Sequence, residues 1–128
     1  MNVMEGLHHS GFPEEYTYRG HFIQYKDLNE LGQGGPTTGK LLIDGKEYFK
    51  HKFSGPIVFY ENLICVPVLD QSWITSGFRI GLVDLNNFTL NLIGNREPLI
   101  LMREVKDNKI YFFTDIYGST EKTIFVEY

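Results

Sequence analysis

The stretch KLLIDGKEYFK, residues 40–50, places Asp44-Gly45 between two short apolar segments. Both central residues of a type I′ turn need a positive φ, and Asp-Gly is one of the pairs that adopt it most readily. The stretch therefore predicts a β-hairpin with paired strands over residues 40–43 and 46–49. This makes a strand-based fold the first hypothesis for the whole chain.

The hairpin also decides how the glycine-rich segment before it is interpreted. LGQGGPTTGKL, residues 31–41, contains Gly34, four further residues, Gly39 and Lys40, which is the spacing of a phosphate-binding P-loop. A P-loop needs a Ser or Thr next to bind magnesium, and a helix whose N-terminal amides face the phosphates. Here Leu41 and a predicted strand follow instead. We interpret the segment as a flexible connection without a nucleotide site.

Short apolar segments bounded by turn-forming residues continue to the end of the chain. The apolar residues Phe88, Leu90 and Leu92 alternate with the polar residues Thr89 and Asn91. This two-residue period is typical of a half-buried strand. No segment keeps a helical period over three turns. Residues 21–31 are expected to form a short strand and a turn. The remaining predicted strands cover residues 57–60, 63–69, 78–85, 88–94, 98–105, 109–115 and 123–128.

Two-residue turns join these strands at 61–62, 86–87 and 107–108, which predicts an all-β fold. The expected architecture is an antiparallel meander of about eight to ten short strands. The segment LICVPVL, residues 63–69, is apolar at every position, which favours packed sheets of a sandwich. A partly open barrel is the second interpretation, and the 15% aromatic content suits either one.

At 128 residues, the chain is long enough for a single domain with a buried core. Residues 1–20 show no periodicity and are predicted to be a mobile or draped N-terminal segment, which leaves residues 21–128 as one all-β domain. Phe12, Tyr16 and Tyr18 lie within this segment, and exposing three aromatic side chains to water is unfavourable. They are expected either to pack along the sheet or to bind a partner.

Two parts of the sequence resemble each other. ENLICVPV, residues 61–68, aligns without gaps with DNKIYFFT, residues 107–114, and LVDL at 82–85 resembles FVEY at 125–128. The intervals are 46 and 43 residues, which is the length of one β-propeller blade. The similarity marks either two propeller-blade-like units or the look-alike hairpins of any meander. Since two or three blades cannot close a propeller, a true repeat predicts packed sheets or association.

Composition and charge narrow the function classes. A net charge of −4 argues against nucleic-acid binding, which depends on many basic side chains. The single cysteine, Cys65, lies in an apolar strand and is interpreted as an inert core residue, and none of the four histidines has metal-ligating spacing. The sequence has neither a signal-peptide pattern nor a long apolar run. It predicts a soluble, cytoplasmic protein with no membrane, metal or cofactor requirement.

The longer connections provide the candidate binding site. Because strand directions alternate, the two-residue turns lie at one end of the meander, and the loops at 69–77, 94–98 and 115–122 lie at the other. Aromatic side chains in such loops are candidate anchors, since they contribute strongly to protein interfaces. The candidate partner-binding residues are Asp70, Trp73, Arg96, Glu97, Asp115 and Tyr117.

Three functions remain open at this point. The first is a small non-catalytic protein-binding module of the inhibitor or immunity type, whose acidic charge would speed its encounter with a basic partner. The second is an up-and-down barrel that binds a small apolar ligand. The third is an enzyme that uses the carboxylates of the loop end. An exposed edge strand would also allow self-association, as in a subunit of a larger β assembly.

Overall fold

The computed structural model describes residues 11–31, 35–71 and 76–126. These residues form strands and turns, and among them there is no helix that is long and apolar enough to cross a membrane. In chain order the strands are β1 Glu15–Tyr18, β2 His21–Glu30, β3 Thr37–Ile43, β4 Lys46–Glu47, β5 Val58–Tyr60, β6 Leu63–Gln71, β7 Ser76–Asp84, β8 Thr89–Glu97, β9 Leu101–Lys106, β10 Lys109–Phe113 and β11 Glu121–Phe125.

The strands form three antiparallel sheets, each of which follows the chain without a crossover. The N-terminal sheet has the order β1-β2-β3-β4, the middle sheet β5-β6-β7-β8 and the C-terminal sheet β9-β10-β11. The predicted all-β antiparallel meander is confirmed. The barrel interpretation is wrong for the described residues, because their three sheets stay open and pack face to face.

The hairpin predicted from Asp44-Gly45 is present. Asp44 has a φ of 53° and Gly45 a φ of 83°, so both central residues occupy the left-handed region that a type I′ turn requires. Across the turn, Ile43 of β3 lies opposite Lys46 of β4. β3 begins at Thr37, so Gly39 and Lys40 of the P-loop-like spacing lie within a strand and not before a helix.

The structure describes the second half of the N-terminal segment predicted over residues 1–20. The second half of this segment belongs to the fold, because Glu15–Tyr18 pairs with β2 and the Phe12 side chain is buried in the core. Of the two alternatives for its aromatic residues, packing along the sheet is the one observed. Residues 1–10 lie outside the described residues.

β2 is also longer than the sequence suggests. It extends over ten residues, where a short strand followed by a turn is expected. A bulge accounts for the broken alternation: Asp27 has a φ of 56°, and the register with β3 shifts between Lys26 and Asn29. The strand therefore continues past residues whose pattern resembles a turn.

The middle sheet is buried on both of its faces. Along β6, Ile64, Val66 and Val68 pack against the N-terminal sheet, whereas Leu63 and Cys65 pack against the C-terminal sheet. This two-sided burial explains why the segment is apolar at every position, since a strand with one solvated face would alternate. The fold is a stack of three sheets with an apolar core in each of the two interfaces.

The similar sequence segments occupy equivalent positions in consecutive sheets. Residues 61–68 and 107–114 each form the first tight turn of a sheet and most or all of its second strand, and the turn residues Glu61 and Asp107 share a φ of 54°. In the N-terminal sheet the equivalent turn is Arg19-Gly20, where both residues also have positive φ. The similar segments thus belong to repeated structural units of one sheet each, and the described residues form three such units.

Candidate functional site

The tight turns of the three sheets meet at one end of the stack. The hydroxyl of Tyr18 donates a 2.6 Å hydrogen bond to the carbonyl oxygen of Glu61, and the hydroxyl of Tyr60 donates one of 2.7 Å to Oδ1 of Asn108. The connections that follow β2, β6, β8 and β10 consequently lie at the opposite end, which we call the loop end. Trp73, a predicted anchor, lies outside the described residues.

Asp70 and Arg96 form an ion pair at the loop end of the middle sheet. Nε of Arg96 lies 3.1 Å from Oδ2 of Asp70, and the arginine reaches it from β8 across β7 to the end of β6. Gly77 permits this crossing, because a Cβ at its position would lie 3.2 Å from the Cβ of Arg96. The structure thus brings together two candidates that are 26 positions apart in the sequence.

Glu97 connects the middle sheet to the C-terminal sheet. Its Oε2 lies 2.9 Å from Nζ of Lys122 on β11, and the side chain of Glu97 is only 13% exposed. The sequence does not single out Lys122, yet this lysine neutralises a candidate carboxylate. Both side chains also line a cavity of about 130 Å³ between β8 and β11, whose apolar walls include Ile80, Ile93, Ile100, Phe112 and Ile124.

Asp115 organises the loop that carries Tyr117. Its Oδ1 accepts hydrogen bonds from the amides of Ser119 and Thr120 at 3.0 and 3.1 Å, and its Oδ2 accepts one from the hydroxyl of Ser119. The hydroxyl of Ser119, followed by the amide of Thr120, lowers the pKa of the Asp115 carboxyl below its usual value. In this loop Ile116 and Tyr117 project into solvent and are 69% and 86% exposed.

A groove beside this loop gathers residues of the N-terminal and C-terminal sheets and of the segment that leads into the middle sheet, and sequence reasoning missed it. The groove has a volume of about 250 Å³, and Ile116 forms part of its wall. The segments that enter β1, β3, β5 and β9 supply much of the remaining wall, so the groove lies where the sheets meet at the loop end. The apolar lining residues are Phe12, Pro36, Pro56, Leu99, Leu101 and Ile116.

Buried polar groups at the base of the groove are bonded within the protein. The hydroxyl of Ser54 donates a 2.8 Å hydrogen bond to the carbonyl oxygen of Thr37, and the hydroxyl of Tyr25 donates one to the carbonyl oxygen of Ser54. Phe12 covers Gly55 so closely that a Cβ on this glycine would lie 2.5 Å from the ring. Because these polar groups already have partners, the groove offers a binding partner the apolar side chains of its wall, beside the acidic residue Glu30.

One sequence signal could have indicated the groove. Gly-Pro pairs occur at Gly35-Pro36 and Gly55-Pro56, each shortly before a strand, and all four residues line the groove. Proline fixes φ, so such pairs mark places where the chain enters a sheet with a restricted geometry. Their convergence depends on the stacking of the sheets and cannot be inferred from either pair alone.

The reactive side chains of the loop end are engaged with separate neighbours. Asp70 pairs with Arg96 and Glu97 with Lys122. Within the part of the chain that the structure describes, no group of three His, Cys, Asp or Glu side chains could hold a metal ion. Cys65 is buried, and desolvation raises the pKa of its thiol to about 12, so its thiolate is scarcely populated at neutral pH.

Comparisons with protein-family models, with curated proteins and with solved structures found no match to this chain. The function must therefore be inferred from the geometry of the loop end. The relevant features are the two ion pairs, the projecting loop at 115–120 and the groove beside it.

Proposed function

We propose that the protein is a small non-catalytic binding module that contacts another protein through its loop end. The observation that carries this proposal is the exposure of Ile116 and Tyr117 on a loop held by Asp115, next to a groove with several apolar residues in its wall. Large exposed apolar side chains beside a concavity are typical of interaction sites. Tyrosine is also among the residues that contribute most to binding at protein interfaces.

The size of the groove favours a protein partner over a free small molecule. Its volume of about 250 Å³ is below the roughly 300–1,000 Å³ of pockets that enclose a drug-sized ligand. One or two apolar side chains of a partner would fill it. We do not propose the barrel-type ligand site, because the sheets of the described residues enclose no barrel interior.

The charges of the loop end contribute less to this proposal than the sequence suggests. Asp70 and Glu97 are paired with Arg96 and Lys122, so acidic groups that would attract a basic partner are neutralised within the chain. The net charge of −4 still favours the encounter with a basic protein. We assign the affinity to the apolar contacts of the loop and the groove.

Site-specific photo-crosslinking in the cells of origin tests the proposal. A photoreactive amino acid in place of Tyr117 should crosslink a partner protein, whereas the same group in place of Phe22 should not. Phe22 is a matched control because it is an exposed aromatic residue on the outer face of the N-terminal sheet. Crosslinking at neither position, or equally at both, would contradict the proposed interface.

Binding measurements with the purified partner provide the quantitative test. Tyr117→Ala should weaken binding by about tenfold or more, since truncating a central aromatic residue commonly has an effect of this size. Phe22→Ala should leave the affinity unchanged. Equal affinities for the wild type and Tyr117→Ala would exclude the loop as the main contact.

A further inference from the structure

Because the three sheets are repeats of one unit, equivalent faces can be compared to see which of them pack against another sheet. When the first turns of the middle and C-terminal sheets are aligned, Leu63 and Cys65 of β6 correspond to Lys109 and Tyr111 of β10. Leu63 and Cys65 lie on the face of the middle sheet that the C-terminal sheet covers. The outer face of the C-terminal sheet is therefore equivalent to the face of the middle sheet that packs against its neighbour.

This outer face, which we call the aromatic face, carries three aromatic side chains among charged ones. Tyr111 and Phe113 alternate with the buried residues of β10, and Phe125 of β11 is 56% exposed. Two cations lie over the rings: the guanidinium carbon of Arg103 is 5.8 Å from the centre of the Tyr111 ring, and Nζ of Lys109 is 5.3 Å from that of Phe125. Exposed aromatic side chains on a sheet face are typical of surfaces that contact another protein.

The outer face of the N-terminal sheet differs at its equivalent positions. In the same alignment it corresponds to the face of β6 that carries the buried Val66 and Val68. There β2 has Phe22, Gln24 and Lys26; Phe22 is 39% exposed, and Lys26 lies opposite Lys40 of β3. Two of these three positions are polar, and polar outer faces are typical of the terminal, capping units of stacked repeats. The outer face of the N-terminal sheet thus resembles that of a capping unit, whereas the outer face of the C-terminal sheet does not.

We propose that a second copy of this chain covers the aromatic face, with one C-terminal sheet packed against the other around a twofold axis. Such a dimer is a stack of six sheets whose two ends are the outer faces of the N-terminal sheets. Head-to-tail stacking would instead place the aromatic face against Phe22, Gln24 and Lys26. It would also continue from copy to copy unless the rotation between copies closed a ring.

The charges of the face are compatible with contact between two copies. The face and its edges carry Arg103, Lys106 and Lys109 together with Glu104 and Glu121. Within one chain Arg103 lies 3.0 Å from Glu104 and 2.8 Å from Glu121. Because both signs are present, a twofold arrangement can set opposite charges next to each other, whereas a face of one sign would repel its copy.

Sedimentation velocity over a concentration series of the purified protein tests the dimer. The wild type should shift from the monomer mass to twice that mass as its concentration rises. Phe125→Lys and, separately, Thr123→Lys place a new cation on the aromatic face and should each weaken the dimer by about tenfold or more. The matched control Phe22→Lys makes the same change on the outer face of the N-terminal sheet and should leave the dimer unchanged.

Circular dichroism of each variant verifies that its strand content is retained. A wild type that stays monomeric throughout the series would overturn the proposal. A dimer that persists in both β11 variants would also overturn it, because the contact would then involve another surface, such as the edge of β11 that has no partner strand among the described residues. Species larger than a dimer would indicate head-to-tail stacking and exclude the twofold arrangement.

Discussion

The two outer sheets cover opposite faces of the same middle sheet, yet their own outer faces are unlike. On the inner side, Ile43 of the N-terminal sheet and Ile110 of the C-terminal sheet are both fully buried. On the outer side, Lys26 of one sheet contrasts with Tyr111 of the other. Both sheets are antiparallel meanders, so this topology alone does not determine the composition of an outer face.

The first prediction concerns the two inner faces, where the largest effects are expected. Ile43→Ala and Ile110→Ala should each lower the free energy of unfolding by about 2–5 kcal/mol, because each leaves a cavity in one of the two cores. Urea unfolding followed by circular dichroism measures both values. If one substitution lowered the free energy of unfolding only slightly and the other lowered it strongly, the two interfaces would not contribute equally to the stability of the fold.

The second prediction distinguishes the inner faces by a hydroxyl group. Tyr25 of the N-terminal sheet donates a buried hydrogen bond to Ser54, whereas Phe112 of the C-terminal sheet has no hydroxyl. Tyr25→Phe should lower the free energy of unfolding by about 1–3 kcal/mol at neutral pH, because the carbonyl group loses a buried partner. The same urea titration as for the core variants measures this change.

The pH dependence of Tyr25→Phe provides a further check on the same residue. Burial raises the pKa of Tyr25 well above 10.0, so the folded state keeps its proton where the unfolded state loses it. The resulting stability is complete below pH 10 and declines as the pH rises above that value. Tyr25→Phe should reduce this decline. An identical slope in the wild type and Tyr25→Phe would contradict the assignment.

The third prediction concerns the ion pair between the middle and C-terminal sheets. A double-mutant cycle with Glu97→Gln and Lys122→Met should give a coupling of up to about 1 kcal/mol that decreases with added salt. The corresponding cycle for Asp27 and Lys40, a more exposed pair within the N-terminal sheet, should give a smaller coupling. Equal couplings would mean that burial of Glu97 adds nothing to the connection between the sheets.

The fourth and smallest effect is local to the loop of the C-terminal sheet. Asp115→Asn should leave global stability nearly unchanged but speed amide hydrogen exchange at Ser119 and Thr120, which bond to this carboxylate. Because these bonds lower the pKa of Asp115, they persist above its usual pKa and are lost as the pH falls through the folded value. Exchange rates at these amides that are equal in the variant and the wild type would exclude this role.

Much of the fold could be predicted because its determinants are local. Asp44-Gly45 specifies a hairpin by itself, and the apolar positions of 63–69 indicate a strand buried on both faces. The third sheet unit was not predicted, since Arg19-Gly20 lacks the acidic-Asn signature of the other first turns. The bulge at Asp27 was missed as well, because a residue with positive φ inside a strand resembles a turn in the sequence.

The candidate site could be predicted only in part. Alternation of strand direction is sufficient to place Asp70, Arg96 and Tyr117 at one end of the meander. The pairing of Asp70 with Arg96 depends on Gly77 leaving room between them, which is a property of packing and not of sequence spacing. The groove depends on three sheets meeting, and no local pattern encodes that arrangement.

The most direct test of the difference between the outer faces is carbene footprinting at low and high protein concentration. Phe22 and Phe125 are both exposed in the monomer, so dilute protein should be labelled at both positions. At high concentration the account predicts that labelling of Phe125 falls while that of Phe22 stays constant. Labelling that stays constant at both residues, or falls equally at both, would contradict the claim that the outer face of the C-terminal sheet, and not that of the N-terminal sheet, contacts a second copy.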